Sequence, residues 1–125
     1  MTDQFFPAAI FRDRDGNCEI FTYTATQAAG TNVTWVAAVA GKRHRIIEML
    51  AVSDAAVQLT MNIYSNAVGT LIGRTTLPAS TSNTMLKLEF NPAGWFETVA
   101  GELLGGSTGA GAQALITVRY ITYTP

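Results

Sequence analysis

The side chains with chemistry to offer gather around one short run, "FNPAGWFETVAGE", from Phe90 to Glu102. Glu97 and Glu102 lie inside it and Glu89 just before it. Paired carboxylates can hydrolyse a glycosidic bond when an apolar pocket keeps one protonated and its partner stays ionised. Spacing in a turn-rich segment does not force these acids to converge, so they read as solvated loop carboxylates or acceptors for backbone N–H groups. His44 is the sole histidine, set in "GKRHRII". A nucleophilic relay would need a carboxylate to orient it and a Ser or Cys to receive it. No nucleophile motif accompanies it, and Lys42, Arg43 and Arg45 are expected to depress its basicity. It reads as a surface residue at the start of a strand.

Other chemistries find less. "DRDGN" places Asp13, Asp15 and Asn17 like the opening of a calcium loop, without the later glutamate that would complete the shell. An Asp-Gly turn accounts for it. One histidine and one cysteine do not make a transition-metal cluster, and Cys18 reads as a small buried hydrophobe. No phosphate-binding glycine loop is present; "GGSTGAGA", Gly105–Ala112, reads as a flexible linker between strands. Lys42, Arg43 and Arg45 do not continue into a basic stripe, so nucleic acid is not an expected partner; a basic edge facing an acidic neighbour fits better. The expectation is a protein that is not an enzyme, with no catalytic, metal or cofactor-binding residues and no cofactor. The aromatics leave one opening. Trp35, Trp95, Tyr64, Tyr120 and Tyr123 would form a sugar-stacking face if exposed, and core or interface anchors if buried.

Periodicity says what must position these groups. "VQLTMNIYS" alternates Val57, Leu59, Met61 and Ile63 with polar neighbours, and "TMLKLEF" repeats the pattern. "CEIFTYTAT", "NVTWVAAV", "HRIIEMLAV" and the β-branched, aromatic "ALITVRYITYT" also read as strands. Turn residues separate them at Asp15-Gly16, Ala40-Gly41, Asp54, Gly73 and "PASTSN". Trp95, Val99 and Leu103 allow at most a turn or two of helix, opposed by Gly94 and Gly101. The result is an all-β chain: an antiparallel β-sandwich or jelly roll of about seven or eight short strands. Residues 1–17 lack strand alternation and read as an N-terminal arm, with 18–125 as the sandwich domain. In the corner, Asn91-Pro92 with Gly94 makes a tight turn. It swings Trp95 and Phe96 back across the end of the sandwich, and Gly101 releases the chain into the next strand.

The 125 residues suit one domain. Only 14% are charged, against about 25% in soluble domains, and the net charge is −1. Such a surface suits a protein that works against neighbours, and it offers no steering toward nucleic acid or an anionic membrane. No apolar run approaches a membrane span and no secretory leader is evident, so a soluble chain synthesised in a cytoplasm is expected.

The succession "AGKRHRIIEMLAV", an alternating strand, a polar loop, "NPAGWFET" with Gly101-Glu102, and a closing aromatic strand resembles small virion proteins of tailed bacteriophages. These are β-sandwich or jelly-roll proteins, several of them capsid decoration (cement) proteins. The resemblance spans roughly two-thirds of the chain. It implies a structural role on the virion, at the capsid surface, after synthesis in the host cytoplasm. It also implies the major capsid protein as partner and a homo-oligomer, with a trimer favoured, since association hides sheet edges. On that reading Phe5, Phe6 and Phe11 of the arm contact the shell, and Arg12 and Arg14 pair with shell carboxylates. The alternative is a tail- or fibre-associated module that recognises host glycans through exposed aromatics.

Overall fold

Eleven strands organise the computed structural model of the chain, which describes residues 11–13, 16–27, 30, 32–53, 58–66, 70–77, 84–108 and 113–125. They are β1 (Phe11–Asp13), β2 (Gly16–Cys18), β3 (Phe21–Gln27), β4 (Val33–Val36), β5 (Arg43–Ser53), β6 (Leu59–Ser65), β7 (Thr70–Leu77), β8 (Thr84–Leu88), β9 (Phe96–Glu97), β10 (Leu104–Thr108) and β11 (Ala114–Tyr123). Nine build two antiparallel sheets, one in the order β4-β10-β6-β7 and the other β3-β11-β5-β8 with β9 also on β5. The all-β sandwich expected from periodicity is the fold observed. No helix occurs among the described residues.

The core lies between the sheets, where each strand turns every second residue inward. Leu59, Met61 and Ile63 of β6 face Met49 and Ala51 of β5 and Ile116 and Val118 of β11, all fully buried. Three bulges decide what faces where. Opposite Arg119 and Tyr120, β5 carries one extra residue, Ile47, between Ile46 and Glu48. An extra residue reverses the facing of everything beyond it. Ile46 therefore enters the main core while Ile47 joins Ile121 in a second cluster with Ile20, Phe90 and Tyr123. This, together with Leu50 and Val52 on the outward face, is why "HRIIEMLAV" reads as apolar on both faces.

The second bulge puts Trp35 between Thr34 and Val36 of β4, against β10. The indole drops into the core, 5% exposed, and its Nε1–H donates to Gln27 Oε1 at 2.9 Å. Gly106 makes this possible, because a Cβ there would overlap Trp35 Cζ2. The residues expected to be a flexible linker are in part a core strand: Gly105, Gly106, Ser107 and Thr108 are buried and paired with β6, and Gly105 and Gly106 also with β4. Their small size is what lets a tryptophan lie across the strand. The third bulge, at Ile72 in β7, turns that side chain toward the core.

Candidate functional site

The Phe90–Glu102 run is the second partner of β5. β8 pairs with Met49–Ser53, and β9 resumes the same edge at Arg45 and Ile46. Between them the chain leaves the sheet through a turn. Gly94 N–H donates to Asn91 O at 2.9 Å, and Asn91 Oδ1 accepts from Ala93 N–H at 3.0 Å. Pro92 occupies the position where a fixed φ helps, and Gly94 has φ +88, which a residue with a Cβ adopts only under strain. A Cβ on Gly94 would also overlap the Arg45 side chain. Trp95, Thr98 and Gly101 then donate their N–H groups to Ile46, His44 and Lys42 carbonyls at 2.8, 3.0 and 2.8 Å. The short helix that Trp95, Val99 and Leu103 allowed does not form, since β5 takes the donors it would need.

The corner's two rings part company. Phe96 points inward, packs on the core and covers Gly73 of β7. Trp95 does not fold back across the sandwich: it turns outward, 42% exposed, with Nε1–H donating to Glu89 O at 2.7 Å. Strand alternation forces the split, because neighbouring residues on β5's edge take opposite faces.

The acids have distinct partners. Glu97 faces outward beside Arg43 (3.2 Å) and Arg45 (3.0 Å), and it accepts from the Tyr123 hydroxyl. The Arg45 guanidinium lies 4.5 Å from the Tyr123 ring centroid. Of the basic edge expected to meet an acidic neighbour, Arg43 and Arg45 meet Glu97 of their own chain, and Lys42 Nζ donates to Thr124 Oγ1 at 2.9 Å. Glu102 accepts from the Ser65 hydroxyl at 2.6 Å, and Ser65 Oγ accepts from Val99 N–H at 2.9 Å, which ties the corner to β6 of the other sheet. Glu97 and Glu102 are thus held by different partners, on β5 and β11 in one case and at β6 in the other.

His44 is not a surface residue. It is fully buried and faces Tyr120 edge-on at 6.1 Å. Its Nδ1 lies 2.8 Å from Thr122 Oγ1 and its Nε2 2.9 Å from the Ala37 carbonyl. A carbonyl only accepts, so Nε2 carries the proton and Nδ1 accepts from Thr122. Burial holds its pKa below the ordinary 6.5, and the bond to Ala37 opposes that in part. The cause is loss of water, rather than the neighbouring cations expected from sequence. Both ring nitrogens are occupied in holding β5, β11 and the Ala37 segment together.

Of the five aromatics proposed as a sugar face, Trp35 is core and stacks on Tyr23, and Tyr123 is bound in the Glu97 cluster. Tyr120 packs against Phe21 and His44, and burial raises its pKa. Trp95 and Tyr64 remain at the surface. Trp95 borders a hollow with Arg45, Gly94 and Glu97. Tyr64 borders another, with Asn32, Thr34, Leu103 and the glycine backbone of β10.

Sequence reasoning missed a further surface. On the outward face of the five-stranded sheet, Leu115, Val52 and Met85 stand in register on β11, β5 and β8, and Leu50 lies one rung away. Leu115 is 51% exposed and Met85 64%. The row ends at the Arg119–Glu48 ion pair. Its signal is apolar residues at positions whose strand alternation assigns them to solvent, as in "TMLKL" and "ALITVRY".

Of the arm, Phe5, Phe6 and Arg14 lie outside the described residues. Phe11 and Arg12 belong to β1, paired with Cys18 and Asn17 of β2, and this hairpin runs beside β11. The described residues contain no group of three or more His, Cys, Asp or Glu able to hold a metal, and no helix among them is long and apolar enough to cross a membrane.

No protein-family model matches the chain, and no curated protein matches it. Among solved structures, it is similar to a chain from Bacillus endospore appendages, described as disulfide-linked pili. That match has 16% identity, covers 87% of this chain and 91% of that one, and has a TM-score of 0.42. It is also similar to a chain of the virus-like particle of the extra small virus of the giant freshwater prawn Macrobrachium rosenbergii. There the identity is 14%, with 84% and 78% of the two chains covered and a TM-score of 0.39. At these TM-scores neither likeness bears on what this chain does.

Proposed function

We propose that this chain is a non-enzymatic structural protein of a phage particle, a capsid decoration protein that binds the shell surface and stabilises subunit joints. The observation that carries the reading is the outward apolar row of Leu115, Val52 and Met85 on a sandwich of low charge. A soluble monomer gains nothing by leaving such a row in water, whereas a lattice partner that covers it recovers roughly 25 cal/mol per Å² of apolar surface buried. Many copies on one lattice make modest individual contacts sufficient. The resemblance in "GKR" and "NPAGWFET" supports the choice of particle. His44 and the corner acids are occupied in structural bonds, which supports a role without catalysis.

The arm is the other half of the clamp, with Phe5, Phe6 and Phe11 set into the shell and Arg12 and Arg14 on its carboxylates. The major capsid protein is the partner, and a trimer is the favoured assembly. Quantitative mass spectrometry of purified source particles tests this. A fixed stoichiometric ratio to the major shell protein is expected. A handful of copies per particle would move the chain to the tail, and absence from the particle would end the proposal.

A second reading, a tail- or fibre-associated module that recognises host glycans, is favoured by Trp95 and Tyr64, each at the rim of a surface hollow.

A further inference from the structure

The hollow beside Tyr64 has features that the fold alone does not require. It lies on the outward face of the four-stranded sheet, where Thr34, Gly105 and Tyr64 stand in register on β4, β10 and β6. The middle position has no side chain. A Cβ on Gly105 would come within 2.7 Å of the Val33 carbonyl oxygen, because the bulge at Trp35 brings that strand close. The close approach leaves room for no side chain at Gly105, so the backbone of β10 forms the floor of a hollow walled by residues of the neighbouring strands.

The lining is uncharged: an aromatic wall, Tyr64; an aliphatic one, Leu103; and the polar groups of Asn32, Thr34 and Asn66. The side chains of Asn32, Thr34 and Tyr64 make no hydrogen bond to other described residues. Together they present two hydroxyls and an amide, which donate and accept in several directions. The walls are held in place. Asn66 N–H donates to Leu103 O at 2.9 Å, and Asn66 Nδ2 approaches Glu102 Oε2 at 3.4 Å. Leu71, in register with Tyr64 on β7, is 43% exposed beyond the lining.

We infer that this hollow binds one ring of a neutral sugar, its apolar face on Tyr64 and Leu103 and its hydroxyls on Asn32 and Thr34. An anionic ligand would find no cation in the lining, and a wholly apolar one would strand three polar groups without water. A neutral polyhydroxylated ring satisfies both demands. A shallow site of this kind binds weakly, with Kd in the range of about 1 mM. The inference rests on the glycan reading above and assigns it a place.

The test is a ¹H–¹⁵N titration of the full chain with glucose, galactose, mannose and N-acetylglucosamine, each to about 10 Kd at millimolar affinity. The expected result is a saturable shift of the Gly105, Gly106, Tyr64 and Asn66 amides with at least one sugar. Tyr64→Ala and, separately, Asn32→Ala should weaken it at least about tenfold, equivalent to 1.4 kcal/mol. Asn32 is exposed, so its variant keeps the test open if the tyrosine variant unfolds. Saturable shifts centred on Trp95, and abolished by Trp95→Ala, would overturn this site while leaving glycan recognition standing. No saturable shift with any of the four sugars would overturn both.

Discussion

At the scale of single residues, His44 shows how a chemical group becomes structural. In the folded chain its pKa lies below the ordinary 6.5 because burial disfavours the imidazolium. Between the folded and unfolded values the unfolded chain binds the extra proton, so stability falls as pH drops below about 6.5 and is complete above it. Thermal unfolding followed from about pH 7.5 to pH 5.5, above the usual carboxylate range, should show a falling Tm. His44→Gln should flatten that slope; an unchanged slope would mean that another group titrates. Tyr120, the other titratable ring beside it, stays neutral throughout this window. Gly106 is the second decisive residue. Gly106→Ala pushes a methyl group into the Trp35 indole and should cost about 1–3 kcal/mol, the range for overpacked cores. Denaturant unfolding measures it, and a neutral result would mean that Trp35 can move aside.

At the scale of elements, the corner works as a detour in a long pairing rather than as a platform. β8 and β9 share one edge of β5, and the Asn91–Gly94 turn lets the chain leave and rejoin it. The two aromatic neighbours should therefore differ sharply on truncation. Phe96→Ala should cost about 3 kcal/mol, because it empties the space over Gly73. Trp95→Ala should cost about 1 kcal/mol, chiefly the bond to Glu89. Equal losses in urea titrations would refute the division. The Arg43–Glu97–Arg45 group is part-exposed, with side chains 27–38% accessible, and solvent screening keeps its contribution to at most about 1 kcal/mol per pair.

At the scale of the whole molecule, the sandwich leaves two different outward faces. The five-stranded sheet presents the Leu115–Val52–Met85 row, and the four-stranded sheet presents the uncharged hollow over Gly105. A double variant, Leu115→Ser with Met85→Ser, should keep its fold, since both side chains are exposed, yet lose most of its binding to undecorated shells in a sedimentation assay. Full retention of binding would remove the row from the proposed interface. Deleting residues 1–17 should leave a folded sandwich that no longer binds shells. Unaltered binding would discard the arm, and loss of the fold would show the hairpin beside β11 to be part of the domain.

Period-two alternation determined most of the architecture by itself. "VQLTMNIYS" and "TMLKLEF" each state which residues face inward, because a strand's geometry admits one answer once its pairing is set, and "ALITVRYITYT" declares a strand by its β-branched and aromatic content. The turn at Asn91–Gly94 was equally local, since Pro and Gly restrict φ wherever they stand. Burial of His44 and Trp35, strand formation by Gly105–Thr108 and the outward turn of Trp95 were decided only in three dimensions. Each depends on a residue distant in sequence: Thr122 beyond His44, Gly106 beneath Trp35, Ile46 beside Trp95. A bulge shifts facing by one residue and leaves no mark in composition. The hollow at Gly105 was equally beyond the sequence, since its floor is a glycine strand that sequence alone reads as a linker.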